Sequence, residues 1–301
     1  MKTLLKVFVS TLLAAFTLPA NAALNVFACE PEWAALALAL GGENVSVNSA
    51  TTAQQDVHRI EAKPSLIARS RNADLVVCTG AELEIGWLPL LLRQAGNPRV
   101  QPGTPGYFEA AEFVTRLDVP AMIDRSQGDM HAGGNPHIQT DPRNIARIAI
   151  ALTERLAVVD PANASGYRLR GADFQKRWGE AIRAWEQRAT PLKGRAIVVH
   201  HREWTYLENW LGLVEVGTLE PKPGIPPTPG HLAELVARLQ REPAAAIIHA
   251  PYNDARAAQF LSTRTRIPVL MLPFTVGGSE RAKDLFGLFD DTIARLLETI
   301  K

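Results

Sequence analysis

The chain has 301 residues, 47% of them hydrophobic and 21% charged, with 32 basic against 31 acidic side chains. So balanced a charge leaves no electrostatic footprint for nucleic acid or an anionic membrane surface. The length suits two medium lobes rather than one small one.

Residues 1–22 read as a secretory signal. Lys2 and Lys6 form a basic start, residues 7–19 are an apolar run, and Ala20-Asn21-Ala22 is a small-x-small cleavage pattern. The run falls short of the roughly 20 residues a membrane-spanning helix needs, so a signal anchor is the weaker reading. No Cys follows at the cleavage point to take an acyl chain. The mature chain is expected to begin near Ala23 and to be periplasmic. Loss of Lys2 and Lys6 leaves 30 basic against 31 acidic residues.

From Leu24 the pattern alternates strand and helix. Strands are expected at 25–29, 45–47 and 74–78, with helices at 31–40 and from 64 to about 70. Pro31 and Pro64 open these helices, and Gly41-Gly42 closes the first. Alternation with near-continuous apolar strands predicts a parallel sheet covered on both faces. Residues 102–106 form a Pro/Gly-rich loop, and 119–123 are expected to add a fourth strand.

A helix follows over 144–156. The segment 160–188 then reads as one long polar helix with Gly166, Gly171 and Gly179 as its weak points. At 1.5 Å per residue it spans about 42 Å, longer than one small domain is wide. Two helices broken at Gly171 are the rival. After Gly194 the alternation restarts, with strands at 196–199, 214–216, 244–248 and 269–272. Helices are expected near 204–211, 231–240, 255–262 and 282–299. The chain therefore divides into an N-terminal lobe (23–158), a connecting helix (159–190) and a C-terminal lobe (191–301), each lobe a parallel sheet flanked by helices.

Cys29 and Cys78, the two cysteines, each end a strand-like run. In a secreted chain an isolated pair reads first as a disulfide, possible if the two strands are neighbours. Free thiols, or a thiolate metal site with Glu30 and His58, are the alternatives.

Three of the seven histidines sit just past a structural boundary: His58, His137 and the second of His200-His201. Neutral imidazole suits zinc-like ions, and three leave a tetrahedral site one position open. Gaps of 79 and 64 residues exclude a zinc finger or a His-Glu-x-x-His helix and point to a cleft between the lobes. His58 and His200-His201 fall at carboxyl ends of strands, where ligands bind in α/β sheets. Any one of them alone is more simply a hydrogen-bonded loop histidine. His131 reads as a surface-turn residue and His231 as structural.

With these residues the chain resembles the metal-specific solute-binding proteins of bacterial ABC transporters. The matching pieces are Asp56-Val57-His58 with Lys63-Pro64-Ser65, residues 73–77 with Gly80 and Trp87, and Gly134-Asn135-Pro136-His137 with Asp141-Pro142. His201 lies five residues before Tyr206, as in the family's third-ligand segment, and Glu220-Pro221-Lys222-Pro223-Gly224 follows. The resemblance implies His58, His137 and His201 as ligands of one ion, a cognate permease and its ATPase as partners, and a monomeric carrier rather than an enzyme. A histidine where manganese-binding members carry a carboxylate favours zinc, a choice that ligand softness also supports. The family usually supplies an aspartate after the final strand, but residues 272–278 contain no acid. Water is the first expectation for the fourth position, and His249 the second. Glu280, Asp254 or Glu220 remain, and Glu220 also fits the role of orienting a ligating imidazole. A metal-regulated adhesin or sensor on the same fold, and a zinc hydrolase with Glu203, Glu220 or Glu280 as its general base, are the rival functions.

Overall fold

A computed structural model describes residues 23–122, 128 and 131–300. The expected signal sequence lies outside them. Among the described residues no helix is long and apolar enough to cross a membrane.

The first lobe is built on β1 (Leu24–Ala28), β2 (Val45–Ser49), β3 (Leu75–Cys78) and β4 (Tyr107–Glu109), in the order β2-β1-β3-β4, all parallel. Every residue of β3 is buried, as a strand covered on both faces requires. Helices α1 (Pro31–Gly41), α2 (Pro64–Arg71) and α3 (Leu88–Ala95) flank the sheet.

The fourth strand is not at 119–123. Val119 and Met122 are 58% and 81% exposed, and Ile123 lies outside the described residues. The strand is three residues long and easily missed: Phe108 alone is fully buried, while Tyr107, packed against the smaller apolar cluster of the other face, donates its hydroxyl to Glu109 at 2.7 Å. Gly106 makes this pairing possible. Its carbonyl accepts from Val76 N, and a Cβ there would stand 2.3 Å from the Arg99 carbonyl.

The register explains the cysteines. Ala28 pairs with Val77 across β1 and β3, so Cys29 and Cys78 come next on both strands, with Cα atoms 4.8 Å apart and the sulfurs bonded. The disulfide is formed, and the thiolate metal site falls away with it.

Helices α4 (Pro142–Val159) and α5 (Ala164–Ala189) pack side by side. Gly171 does not break α5. It is where α4 comes closest, since a Cβ there would lie 2.5 Å from Thr153 Oγ1. The 26 residues of α5 reach from the first lobe, where Arg170 donates to the Leu40 carbonyl, to the second. There Trp178 and Trp185 meet Phe286 and Phe289 of α9 (Leu285–Thr299) edge-to-face or tilted, and Trp185 donates to Asp290. Truncating a fully buried Trp such as Trp178 to Ala costs about 3–5 kcal/mol, so α5 is fastened at both ends.

The second lobe repeats the plan with β5 (Ala196–Val199), β6 (Val214–Thr218), β7 (Ala246–His249) and β8 (Val269–Met271), parallel in the order β6-β5-β7-β8. Its other helices are α6 (Thr205–Leu211), α7 (Pro229–Leu239) and α8 (Arg256–Thr265). One continuous apolar cluster runs through both lobes, and a separate smaller one lies on the outer face of each sheet.

Candidate metal centre

Each of the three histidines is set by local chain chemistry. His58 sits in a single 3-10 turn (Val57–Arg59), capped by Asp56. The Asp56 carboxylate accepts from the His58 backbone N–H at 3.0 Å and meets its Nδ1 at 2.8 Å, so Nε2 is the nitrogen left facing inward. His137 follows the turn at Gly134, whose positive φ of 94° favours glycine. The Asn135 side chain accepts from the His137 backbone N–H and donates to the Arg202 carbonyl, joining this loop to the one after β5. Tyr206, on α6, donates its hydroxyl to the Asn135 carbonyl at 2.7 Å. His201 lies just past β5, and its Nδ1 meets Glu220 Oε2 at 2.7 Å; the same oxygen accepts from Gly224 N.

These arrangements bring three rings from three distant segments together. The centroids of His58, His137 and His201 are 5.3, 5.8 and 5.6 Å apart, all edge-to-face. A ligand nitrogen from each lies within 4.8 Å of the other two. His137 is 1% exposed, and neither of its ring nitrogens has a hydrogen-bond partner; the buried Nε2 of His58 has none either. Buried polar atoms without partners are rare in folded proteins and call for a bound species. On one side His137 and His201 line a cleft of about 450 Å³ that opens past Asn135 and Glu220.

Burial holds the His137 imidazole well below its ordinary range, and the neighbouring His58, His201 and His131 add to the effect. It is therefore neutral and ready to donate a lone pair near pH 7. For His201 burial pulls downward, but the Glu220 hydrogen bond and the nearby carboxylates outweigh it and the pKa rises. Imidazole Nδ1 held by a carboxylate, with Nε2 presented to the site, is a recurrent metal-ligand arrangement. It occurs here twice.

Sequence reasoning found the three imidazoles and Glu220, but gave Asp56 no role although it stands two residues before His58. It also read His131 as a surface-turn residue. Its ring is 5.4 Å from that of His58, and it lines the cleft with His137. His249 lies at the end of β7 near His200, outside the group of three, with Nδ1 against the Ala250 carbonyl at 2.9 Å. Glu280 is exposed, and Asp254 is held by Arg256. Where the acid after the last strand is missing, Phe274 turns its ring edge-on to His137 at 5.5 Å. His231 accordingly has a structural role, with Nε2 at 2.8 Å from the Thr218 carbonyl.

Glu203, offered by the sequence only as a general base for the hydrolase rival, also belongs to this centre. Its carboxyl is 1% exposed and accepts from the Tyr252 hydroxyl at 2.6 Å. Burial pushes it up to about 7, against the opposite pull of His201.

Two parallel-sheet lobes joined by one long helix, with imidazoles converging between their sheet edges, make up a metal-binding solute receptor. The sequence matches the family described as "ZnuA: Zinc-uptake complex component A periplasmic" over residues 26–299, and the chain belongs to that family. It is thus a metal-binding component of an ABC transporter, and members of this family are transport proteins rather than enzymes. The chain is 26% identical to the high-affinity zinc uptake system protein ZnuA of Yersinia pestis over 206 residues, 64% of this chain and 65% of that one. It is 22% identical to the manganese ABC transporter substrate-binding lipoprotein PsaA of Streptococcus anginosus over 250 residues, 81% of this chain and 78% of the other. A crystal structure of ZnuA superposes with a TM-score of 0.78 at 20% identity, covering 93% of this chain and all of that one. A mutant of the laminin-binding adhesin Lmb from Streptococcus agalactiae gives 0.76 at 18%, covering 92% of this chain and 100% of the other.

Proposed function

We propose that this protein captures a zinc ion in the periplasm with His58, His137 and His201 and delivers it, as a monomer, to a cognate permease and its ATPase. The observation that carries this reading is the composition of the ligand group: three imidazole nitrogens within 4.8 Å of one another and no carboxylate among them. Nitrogen-only sets suit zinc, whereas manganese prefers carboxylate oxygen. The relatives named for zinc support the choice, and those named for manganese make it worth testing directly.

The test is metal analysis of untagged protein taken from periplasm, followed by competition between Zn²⁺ and Mn²⁺ for the emptied protein. One zinc per chain, undisplaced by a large excess of Mn²⁺, is the expected outcome. Manganese bound in preference to zinc would defeat the choice of ion and leave the site itself standing. The same reading divides the chain at 158 and 190, with α5 as the piece that joins the halves.

A further inference from the structure

We propose that Glu203 secures the ion's fourth position through one water molecule; this rests on the three-histidine reading above. Three imidazoles leave a tetrahedral ion one open position. Beside His58 and His201 lies a small cavity of about 40 Å³, lined also by Asp56, Arg59, Glu203, Glu220 and Tyr252. About 10–15 Å³ of such space is enough to hold one water molecule, so the cavity has room for one.

Three acids border this cavity, and two are engaged on the imidazoles: Asp56 on Nδ1 of His58 and Glu220 on Nδ1 of His201. Glu203 is different. Its Oε2 is held by Tyr252, while its Oε1 is buried with no hydrogen-bond partner. A carboxylate oxygen removed from water and given no donor is costly, and a donor placed in the cavity relieves it.

Glu203 is not among the groups within mutual reach of a single ion, and a zinc–oxygen bond is only about 2.0–2.2 Å long. A bridging water closes that distance. It gives a lone pair to the ion and one hydrogen to Glu203 Oε1. Three neutral imidazoles leave the ion's full positive charge in place, and the nearby carboxylate offsets part of it without bonding to the metal. Release then requires breaking no charged metal bond. Glu203 is in this sense a positioning residue that acts through the water.

The experiment compares wild type with Glu203→Gln, which keeps the shape and a partner for Tyr252 but removes the charge. Zinc affinity is measured by competition with a chromophoric chelator. Azide is then titrated into the cobalt(II)-loaded proteins and followed by the visible d–d bands. Glu203→Gln should bind zinc about ten- to hundredfold more weakly. Its cobalt form should bind azide about tenfold more tightly, because no carboxylate opposes the incoming anion. Glu203→Ala should show both changes. A variant matching wild type in both measurements would overturn the proposal. So would a wild-type cobalt spectrum that ignores azide while the variant's responds, since the carboxylate would then be a direct ligand. Should His137→Ala retain wild-type zinc affinity, the three-histidine reading fails instead.

Discussion

Two clusters of buried ionisable groups lie near the interface of the lobes, and they have been resolved in opposite ways. At the carboxyl ends of β1 and β3, Glu30, Glu32 and Glu84 are each only 2–3% exposed. Glu84 accepts from the backbone N–H groups of Thr79 and Gly80, Thr79 donates its hydroxyl to Glu30, and Thr275 from the other lobe donates to Glu32. Glu30 and Glu84 hydrogen-bond each other, which requires one of them to keep its proton. Most of the acid oxygens are answered by the protein, and for Glu30, whose Oε1 has no other partner, the answer is a proton shared with Glu84. The three histidines are satisfied on their outer nitrogens at most, and their inward nitrogens face one another. Burial alone therefore does not mark a binding site. Buried imidazoles that converge with their lone pairs unanswered do.

The largest effect that tests this contrast is His137→Ala. The imidazole makes no hydrogen bond to the protein, so its loss should lower zinc affinity by orders of magnitude while leaving a cooperative melt in the metal-free protein. The wild type should gain about 4 kcal/mol of stability at roughly a thousandfold excess of zinc over Kd, and the variant should gain almost none at the same zinc concentration. Calorimetric melts with and without zinc read both quantities. Glu84→Gln should disturb stability and keep the zinc response. If Glu84→Gln abolished zinc binding as completely, the division between structural acids and ligating imidazoles would be wrong.

A smaller effect separates the histidines from one another. His137 is already neutral at working pH, whereas His201 holds its proton more tightly than an ordinary imidazole because Glu220 outweighs burial. Zinc must displace that proton, so affinity should fall as pH drops through neutrality, by about tenfold per unit for each proton released. Glu220→Gln should weaken zinc binding about ten- to hundredfold at the alkaline end of the range. It should also flatten the pH dependence near neutrality, because the competing proton is then held less tightly. A parallel, undiminished pH slope in the variant would mean that Glu220 does not act on His201.

The contrast also explains what the amino-acid sequence made legible. His58, His137 and His201 stand in motifs, and alternating apolar runs placed two of them at strand ends, so their convergence could be read from connectivity. The pairing of Cys29 with Cys78 followed from the neighbouring positions of β1 and β3. Strand β4 was missed because three residues with one fully buried side chain carry almost no periodic signal, while the more apolar stretch at 119–123 carried a misleading one. The places of Asp56 and Glu203 in the centre were not legible for another reason. Each stands two residues from a ligand, and what distinguishes them is the direction in which a carboxylate oxygen points. Glu30 was legible only as a neighbour of a thiolate metal site, and nothing in the sequence tied Glu32 and Glu84 to it. Only the closing of the lobes, with Thr275 reaching Glu32, makes them a buried set.

The smallest effect tests the acid cluster by itself. Burial raises the Glu32 carboxyl to about 7 in the folded protein, with the Thr275 hydrogen bond acting the other way. In the unfolded chain it titrates near the ordinary carboxylate value of about 4.3. Between these values the folded state holds a proton that the unfolded state has released, so stability falls as pH rises. The contribution is fully present below the unfolded value and is lost as pH passes through about 7. The slope is about 1.4 kcal/mol per pH unit at most for one proton. His137, kept neutral by burial, works in the opposite direction at low pH and obscures this trend in the wild type alone. Subtracting one protein from the other removes it. Glu32→Gln keeps an oxygen for Thr275 and cannot ionise, so its stability relative to wild type should rise steadily between about pH 4.5 and 7 and level off above that. Denaturant titrations of the two metal-free proteins across this range measure the difference. A constant offset would mean that Glu32 ionises alike in the folded and unfolded chains.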